Sequence, residues 1–259
     1  MRLPDKFTTE STHRPGGSVP GRCVLSVYSV VRRCLNYPFS YSLSIYNQCM
    51  DRSVAVIGGG PAGLMAAEVV SAGGVKVDLY DSMSSLGRKF LMAGKGGLNI
   101  THSESFEQFV SRYGERRAEI EPLLKTFGPN ELRAWVHGFG IETFVGTSGR
   151  VFPAGMKASP LLRAWLKRLT DSGVTFHLRH KWKGWLPDKS LQFATPAGEN
   201  AIKPDATILA LGGGSWSRLG SDGAWVPWLK QAGVRVEGLK PSNCGFDVNW
   251  SPHFRERFD

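Results

Sequence analysis

Val54, Ala55, Val56 and Ile57 form an unbroken apolar run, which predicts a strand buried on both faces. Gly58, Gly59, Gly60, Pro61, Ala62 and Gly63 follow, and then the apolar Leu64, Met65, Ala66 and Ala67, so the chain turns on glycines and enters a helix. The alternation Val-Lys-Val-Asp-Leu-Tyr at 75–80 predicts a second strand. Apolar residues then recur at three- and four-residue spacing, as in Phe106, Phe109 and Val110 or Leu132, Trp135, Val136 and Phe139, and predict helices across 105–140. Pro122 and Pro129 fall near helix starts or breaks. Short strands are expected at 141–145 and 150–153, and a helix from near Pro160 to 171–173. A strand at 174–178 follows, then an antiparallel meander at 182–185, 191–195 and 201–203. The buried run 206–211 leads into Gly212, Gly213 and Gly214, and a loop with Ser215, Ser221 and Asp222 is expected to cap a helix at 224–232. The order of elements predicts an α/β, Rossmann-like fold whose parallel sheet comprises 53–57, 75–80, 174–178 and 206–211.

Residues 1–49 show no sustained period of either kind, and they are expected to be a disordered or non-native extension ahead of Met50. The apolar stretch 23–31 is far short of the ~20 residues that span a bilayer, and Arg32-Arg33 follows it where a secretory cleavage site would need small residues. The Arg and Ser content also fits an organellar transit peptide. The net charge is +10, of which the first 49 residues carry +4. No Lys/Arg run exceeds two residues and the tryptophans do not alternate with bases, so no nucleic-acid partner and no membrane partner is expected. The tryptophans from Trp135 to Trp250 read instead as core and interface. The four cysteines, Cys23, Cys34, Cys49 and Cys244, contain no C-x-x-C, which gives neither a metal site nor a redox disulfide and suits a reducing, cytoplasmic compartment.

Gly58, Gly60 and Gly63 satisfy G-x-G-x-x-G between strand and helix. The first permits the tight turn, the second lets backbone approach a pyrophosphate, and the third lets helix pack on strand. The helix amino end, at Pro61 and Ala62, would face the phosphates. Asp81 closes the second strand 18 residues after Gly63, where a carboxylate accepts ribose hydroxyls and repels a 2′-phosphate. Asp78 is the competing acid, but it lies in mid-strand.

The loop 82–103 contains Gly87-Arg88-Lys89-Phe90-Leu91-Met92-Ala93-Gly94-Lys95-Gly96-Gly97-Leu98-Asn99-Ile100-Thr101-His102-Ser103. This run resembles a hallmark loop of the aminoacetone-oxidase and BaiN-like family of bacterial FAD-binding flavoproteins, and 152–165 resembles the same family. The resemblance implies a two-dinucleotide-binding type of fold and selects FAD, with NAD(P)H the further candidate as electron donor. Gly87, Gly96 and Gly97 would let backbone approach the ligand, and Arg88 and Lys89 would neutralise pyrophosphate. Lys95, Asn99 and Thr101 would hydrogen-bond the flavin ring, and Lys95 and His102 are the candidate catalytic groups. Arg150 and Lys157 could line an anionic substrate site, or Lys157 could flank its helix. The segment at Gly212 and Gly213 resembles the one that rejoins the sheet and passes the cofactor. Ser217 stands where a second G-x-G-x-x-G would need glycine, so no separate NAD(P)H domain is expected.

Full members of that family continue through an inserted substrate domain. The expected organisation is therefore an extension at 1–49, an FAD-binding domain at 50–240 and only the start of a second domain at 241–259. The expected activity is hydride transfer between flavin and a small organic substrate, for which the resemblance offers amines such as aminoacetone or enone reductions. The alternative is a truncated, inactive fragment that needs a missing carboxy-terminal half. Nothing in the sequence sets the oligomeric state.

Overall fold

The computed structural model describes residues 52–240 and 248–258, so the expectations for 1–49 and for 241–247 lie outside the described residues. β1 (Ser53–Ile57) runs into α1 (Pro61–Ala72) and returns as β2 (Lys76–Asp81), the predicted βαβ opening. α2 (Arg88–Ala93) and the two-residue β3 (Thr101–His102) occupy the following loop. The helical stretch resolves into α3 (Phe106–Ser111), α4 (Arg117–Thr126) and α5 (Pro129–His137). Pro122 lies inside α4, whereas Pro129 starts α5, where its missing N–H costs no hydrogen bond. β4 (Thr143–Val145) and β5 (Arg150–Pro153) precede α6 (Ala158–Asp171) and β6 (Thr175–Leu178). The chain continues through β7 (Lys181–Trp185), β8 (Leu191–Thr195), β9 (Gly198–Ile202) and β10 (Ala206–Leu209) to α7 (Trp225–Gln231) and α8 (Pro252–Phe258).

The central sheet has the order β10-β1-β2-β6 and is parallel throughout, built from the four segments expected for it. β1 sits in the middle, and its side chains divide the core. Val56 faces a cluster with Leu64, Ala67 and Val70 of α1 and Leu162, Trp165 and Leu169 of α6. Ala55 and Ile57 face the opposite cluster, with Trp182 of β7 and Leu191 and Phe193 of β8. Burying each such Leu or Phe contributes roughly 1.5–3 kcal/mol. Both faces of the sheet are covered, which accounts for the continuous apolar run in β1.

The meander β7-β8-β9 is antiparallel as expected, but its third strand starts at Gly198 rather than at 201. Thr195 pairs with Gly198 across a two-residue turn, and Gly198 supplies the positive φ that this turn needs. β3 falls within the expected loop 82–103. Its two residues pair with Val151 and Arg150 to make a third sheet of order β3-β5-β4. The tryptophans also divide: Trp165 and Trp182 are buried, whereas Trp216 and Trp250 are exposed.

Candidate functional site

The glycine turn is held by contacts that leave no room for side chains at three of its four glycines. Gly58 has φ +109°, and a Cβ there would overlap the Ala210 carbonyl oxygen at the end of β10. A Cβ at Gly63 would overlap the Gly58 carbonyl oxygen, so α1 lies directly on the exit of β1. At Gly59 a Cβ would run into Leu86 and stand 2.9 Å from an Asp81 oxygen. Gly60 is the exception. Its backbone is extended, a Cβ there would meet nothing within 4 Å, and it lines a cavity of about 520 Å³.

That cavity opens where β1, β2 and β10 end. Its polar lining comes from the glycine turn with Pro61 and Ala62, from Asp81, Ser85, Gly87, Arg88, Lys89 and Asn99, and from Gly212 and Ser221. Asp81 Oδ2 accepts the Gly59 N–H at 2.6 Å, and Oδ1 accepts the Met83 N–H at 2.7 Å. Each oxygen keeps lone-pair capacity for a further donor. Burial pushes the Asp81 carboxyl above the usual carboxylate range, against the opposing pull of those two N–H groups and of Arg88. Gly87 closes the floor. It has φ +65°, its N–H donates to the Gly59 carbonyl at 2.8 Å, and a Cβ would press on Leu162 at 2.7 Å.

Arg88 and Lys89 begin α2 and use their charges differently. Arg88 makes one long contact to Ser85 Oγ at 3.4 Å, while its Nε is buried without a partner among the described residues. Lys89 Nζ reaches across to Ser215 Oγ at 3.3 Å and Ser221 Oγ at 3.4 Å. Ser221 in turn donates to the Gly213 carbonyl at 2.9 Å. The serines expected to cap the next helix therefore tie α2 to the loop after β10. Only Asp222 acts near that helix, accepting the Ala224 N–H at 3.0 Å.

The structure thus brings Gly58, Gly60, Pro61, Ala62, Asp81, Gly87, Arg88, Lys89, Asn99 and Gly212 to one cavity. Gly63 acts behind it, through the helix contact. Lys95, Gly96, Gly97, Thr101 and Gly213 are not among its lining residues, nor are Arg150 and Lys157. Lys95 and Gly96 are exposed; Thr101 is buried in β3, and its carbonyl accepts from the Asn99 side chain at 2.8 Å. His102 is engaged at the edge of the third sheet: Nε2 lies 3.0 Å from the Ser148 carbonyl, and Nδ1 accepts the Glu104 N–H at 3.2 Å. Asp78 bonds His177 Nε2 at 2.7 Å, and His177 stacks on Tyr80 at 4.4 Å. Burial and the Asp78 charge push the Tyr80 phenol up to about 12.

The apolar lining comes partly from the family-like loop and partly from the helix stripe expected only as helix and core. Phe90, Leu98, Ile100, Leu132, Trp135 and Val136 give the cavity apolar walls. The stripe on α5 is visible in the sequence, but its periodicity cannot say what it faces. A smaller adjoining cavity of about 280 Å³ shares Gly58, Asp81, Met83, Leu211 and Gly220 and reaches His180, Trp182 and Trp225. The Nε1 atoms of Trp182 and Trp225 are buried with no acceptor among the described residues. Among those residues no group of three or more His, Cys, Asp and Glu could hold a metal ion, and no helix is long and apolar enough to cross a membrane.

These features fit an elongated ligand with an anionic middle and a planar apolar portion. A backbone turn lies open at Gly60, the Arg88 guanidinium lies at the lining, and a half-buried carboxylate has acceptor capacity.

Among curated proteins, the thiamine thiazole synthase of Methanosarcina acetivorans is 38% identical over 71 residues, which is 27% of each chain. That of Pyrococcus horikoshii is 28% identical over 82 residues, 32% of each. The matched stretches thus span about a third or less of those relatives. Among solved structures, a 3-ketosteroid dehydrogenase from Rhodococcus jostii RHA1 has a TM-score of 0.47 at 14% identity, over 63% of this chain and 46% of that one. The THI4 protein of Thermovibrio ammonificans has a TM-score of 0.42 at 15% identity, over 74% and 67%. Similarities of this size assign neither an activity nor a substrate. The model of the HI0933-like protein Rossmann domain, by contrast, matches residues 52–248, most of the sequence and nearly all of the described fold. The chain therefore belongs to the HI0933-like Rossmann family, and its parallel sheet, glycine turn and cavity all lie within the matched residues.

Proposed function

We propose that this chain binds FAD in the two adjoining cavities and acts as an oxidoreductase on a small organic molecule, with hydride passing to or from the flavin. The observation that carries the reading is the pairing, on one cavity, of the open face of Gly60 with the Arg88 guanidinium, whose one side-chain hydrogen bond, to Ser85 Oγ, is long at 3.4 Å. A pyrophosphate satisfies both, since backbone can approach it and a guanidinium can grip it. Asp81 lines both cavities and would accept the ribose hydroxyls. The adenine would then lie in the smaller cavity, beside Trp182 and Trp225.

When bound, the flavin supplies two-electron hydride chemistry. The protein's part is to bind, orient and dry the site. Lys89 adds positive charge and holds α2 to the loop after β10. Phe90, Leu98, Ile100, Leu132, Trp135 and Val136 exclude water from the planar portion. Asn99 is the lining amide best suited to meet polar ring edges. The loop residues retained from the family resemblance, Lys95, Gly96, Gly97, Thr101 and Gly213, form an outer tier of candidates, and His102 a weaker one. The aminoacetone-oxidase and BaiN-like branch, a cytoplasmic setting and NAD(P)H as donor complete the proposal.

The test is to add FAD to the purified full chain, remove unbound cofactor and record the visible spectrum. A retained flavin band is the expected outcome; a colourless, folded protein would refute the reading. Anaerobic NADH or NADPH should then bleach the band if a nicotinamide is the donor.

A further inference from the structure

One carboxylate on α1 ties α5 and α6 to that helix behind the cavity. Glu68 follows Ala66 and Ala67 on the helix, its side chain 19% exposed. Its Oε2 accepts the Trp165 Nε1–H of α6 at 2.6 Å, and both its oxygens lie 3.2 Å from Trp135 Nε1 of α5. Arg168 Nη1 donates to Oε1 at 3.0 Å. The same guanidinium donates through Nη2 to the Gly138 carbonyl at 2.8 Å and lies 3.4 Å over the Phe139 ring. Three donors that cannot accept therefore converge on one acceptor-only group. A half-buried carboxylate is costly to desolvate unless it is satisfied in this way.

The rings pass this constraint to the cavity. Trp135 lines it directly, and packs edge to face on Trp165 at 4.7 Å and 81°. Phe90, also a lining residue, meets Trp165 at 6.4 Å and 70°. An indole pinned at its N–H and packed edge-on against a neighbour has its ring plane set. We infer that Glu68 is a positioning residue for the bound flavin: through the Trp135 and Trp165 indoles it fixes the aromatic wall against which the planar portion of the cofactor packs. This rests on the FAD reading above. Glutamine at 68 offers a single acceptor oxygen and turns an NH2 group toward donors, so at least one of the three donors is left unsatisfied and the clamp on the indoles is loosened.

The experiment titrates FAD into wild type, Glu68→Gln, Glu68→Asp, Trp135→Phe and the Glu68→Gln/Trp135→Phe double variant, recording dissociation constant, visible band and melting temperature. Glu68→Gln is expected to weaken FAD at least tenfold and to shift the flavin band. Glu68→Asp keeps both oxygens and should recover part of each change. The double variant should bind no more weakly than the product of the single effects predicts, and measurably better if Glu68 acts through Trp135. A lowered melting temperature with unchanged affinity and band, or fully additive single effects, overturns the inference and leaves the FAD reading standing. Failure of wild type to retain FAD removes both. Should Glu68→Gln not fold, Trp135→Phe carries the test, because it keeps an aromatic ring at the wall and removes the indole N–H that Glu68 holds. Unchanged affinity and band in that variant then overturn the inference.

Discussion

Two glycine-rich exits lie side by side at one end of the sheet, after β1 and after β10, and the glycines do different work in each. In the first, Gly58, Gly59 and Gly63 sit where backbone meets backbone or a buried leucine, and a side chain has nowhere to go. Gly60 alone faces open space. In the second, Gly212 is needed for its φ of +69°, Gly213 has nothing within 4 Å of a Cβ position, and Gly214 meets only the flexible end of Leu239, at 2.8 Å. The first exit enters a 12-residue helix, the second an irregular loop tied down by Lys89 and Ser221. The same residue type thus reports close packing in one place and chain conformation in the other, and only the first is a spacing motif.

The sharpest way to break that contrast is Gly63→Ala. The added methyl overlaps the Gly58 carbonyl oxygen, an atom fixed by the strand, so α1 must shift from β1. Overpacking of this kind costs about 3 kcal/mol. Chemical denaturation is expected to show a loss of that order, whereas a variant as stable as wild type would mean that helix and strand are not in close contact. Gly60→Val comes next and separates binding from folding. Its backbone is extended and its Cβ position open, so stability should stay within about 0.5 kcal/mol of wild type. FAD affinity should fall at least 100-fold, about 2.7 kcal/mol, because the isopropyl group occupies the space beside the turn. Unchanged affinity would remove the glycine turn from the cofactor site.

The contrast also shows what the sequence could convey. The βαβ opening was legible because its signals are local: an apolar run, glycines at fixed spacing and an acid at the next strand end. The polar lining was legible for the same reason, since Gly58 to Ala62 and Gly87 to Lys89 are contiguous stretches. The apolar wall was not. Leu132, Trp135 and Val136 show a helix face, but whether that face meets core or cavity depends on where α5 packs. Glu68 was missed although a single acid among alanines and valines on a buried helix is a signal, because its three donors lie 67 to 100 residues away. His102, a candidate catalytic group on the expected loop 82–103, instead pairs with Arg150 of β5 in the third sheet. In each case the deciding contact is long-range, and periodicity carries no information about it.

Asp81→Ala gives a smaller effect, with two readouts. Loss of the ribose acceptor should weaken FAD by roughly 1–3 kcal/mol, measured by titration. The pH dependence of stability should change as well. Burial raises the folded-state pKa of Asp81 above its ordinary value of 3.8, so the native protein binds more protons at this site than the unfolded chain does. Stability from this group is then fully present below the ordinary carboxylate range and is lost as pH rises through the raised value. In urea denaturation, wild type should therefore lose stability relative to Asp81→Ala as pH rises through that window. The opposite slope would mean that the N–H groups of Gly59 and Met83 outweigh burial.

The smallest effect is expected at Gly213, and it tests the second exit alone. Gly213 lacks a positive φ, a Cβ there meets nothing within 4 Å, and its carbonyl, which accepts from Ser221 at 2.9 Å, survives substitution. Gly213→Ala should therefore leave stability within about 0.5 kcal/mol of wild type, in contrast to Gly63→Ala at the first exit. Its effect on FAD then decides what the loop does. Affinity within twofold of wild type would make the second exit a support held from outside by Lys89. A tenfold loss with stability unchanged would mean that backbone at 213 approaches the ligand as closely as at Gly60, and the two exits would be two sides of one binding surface.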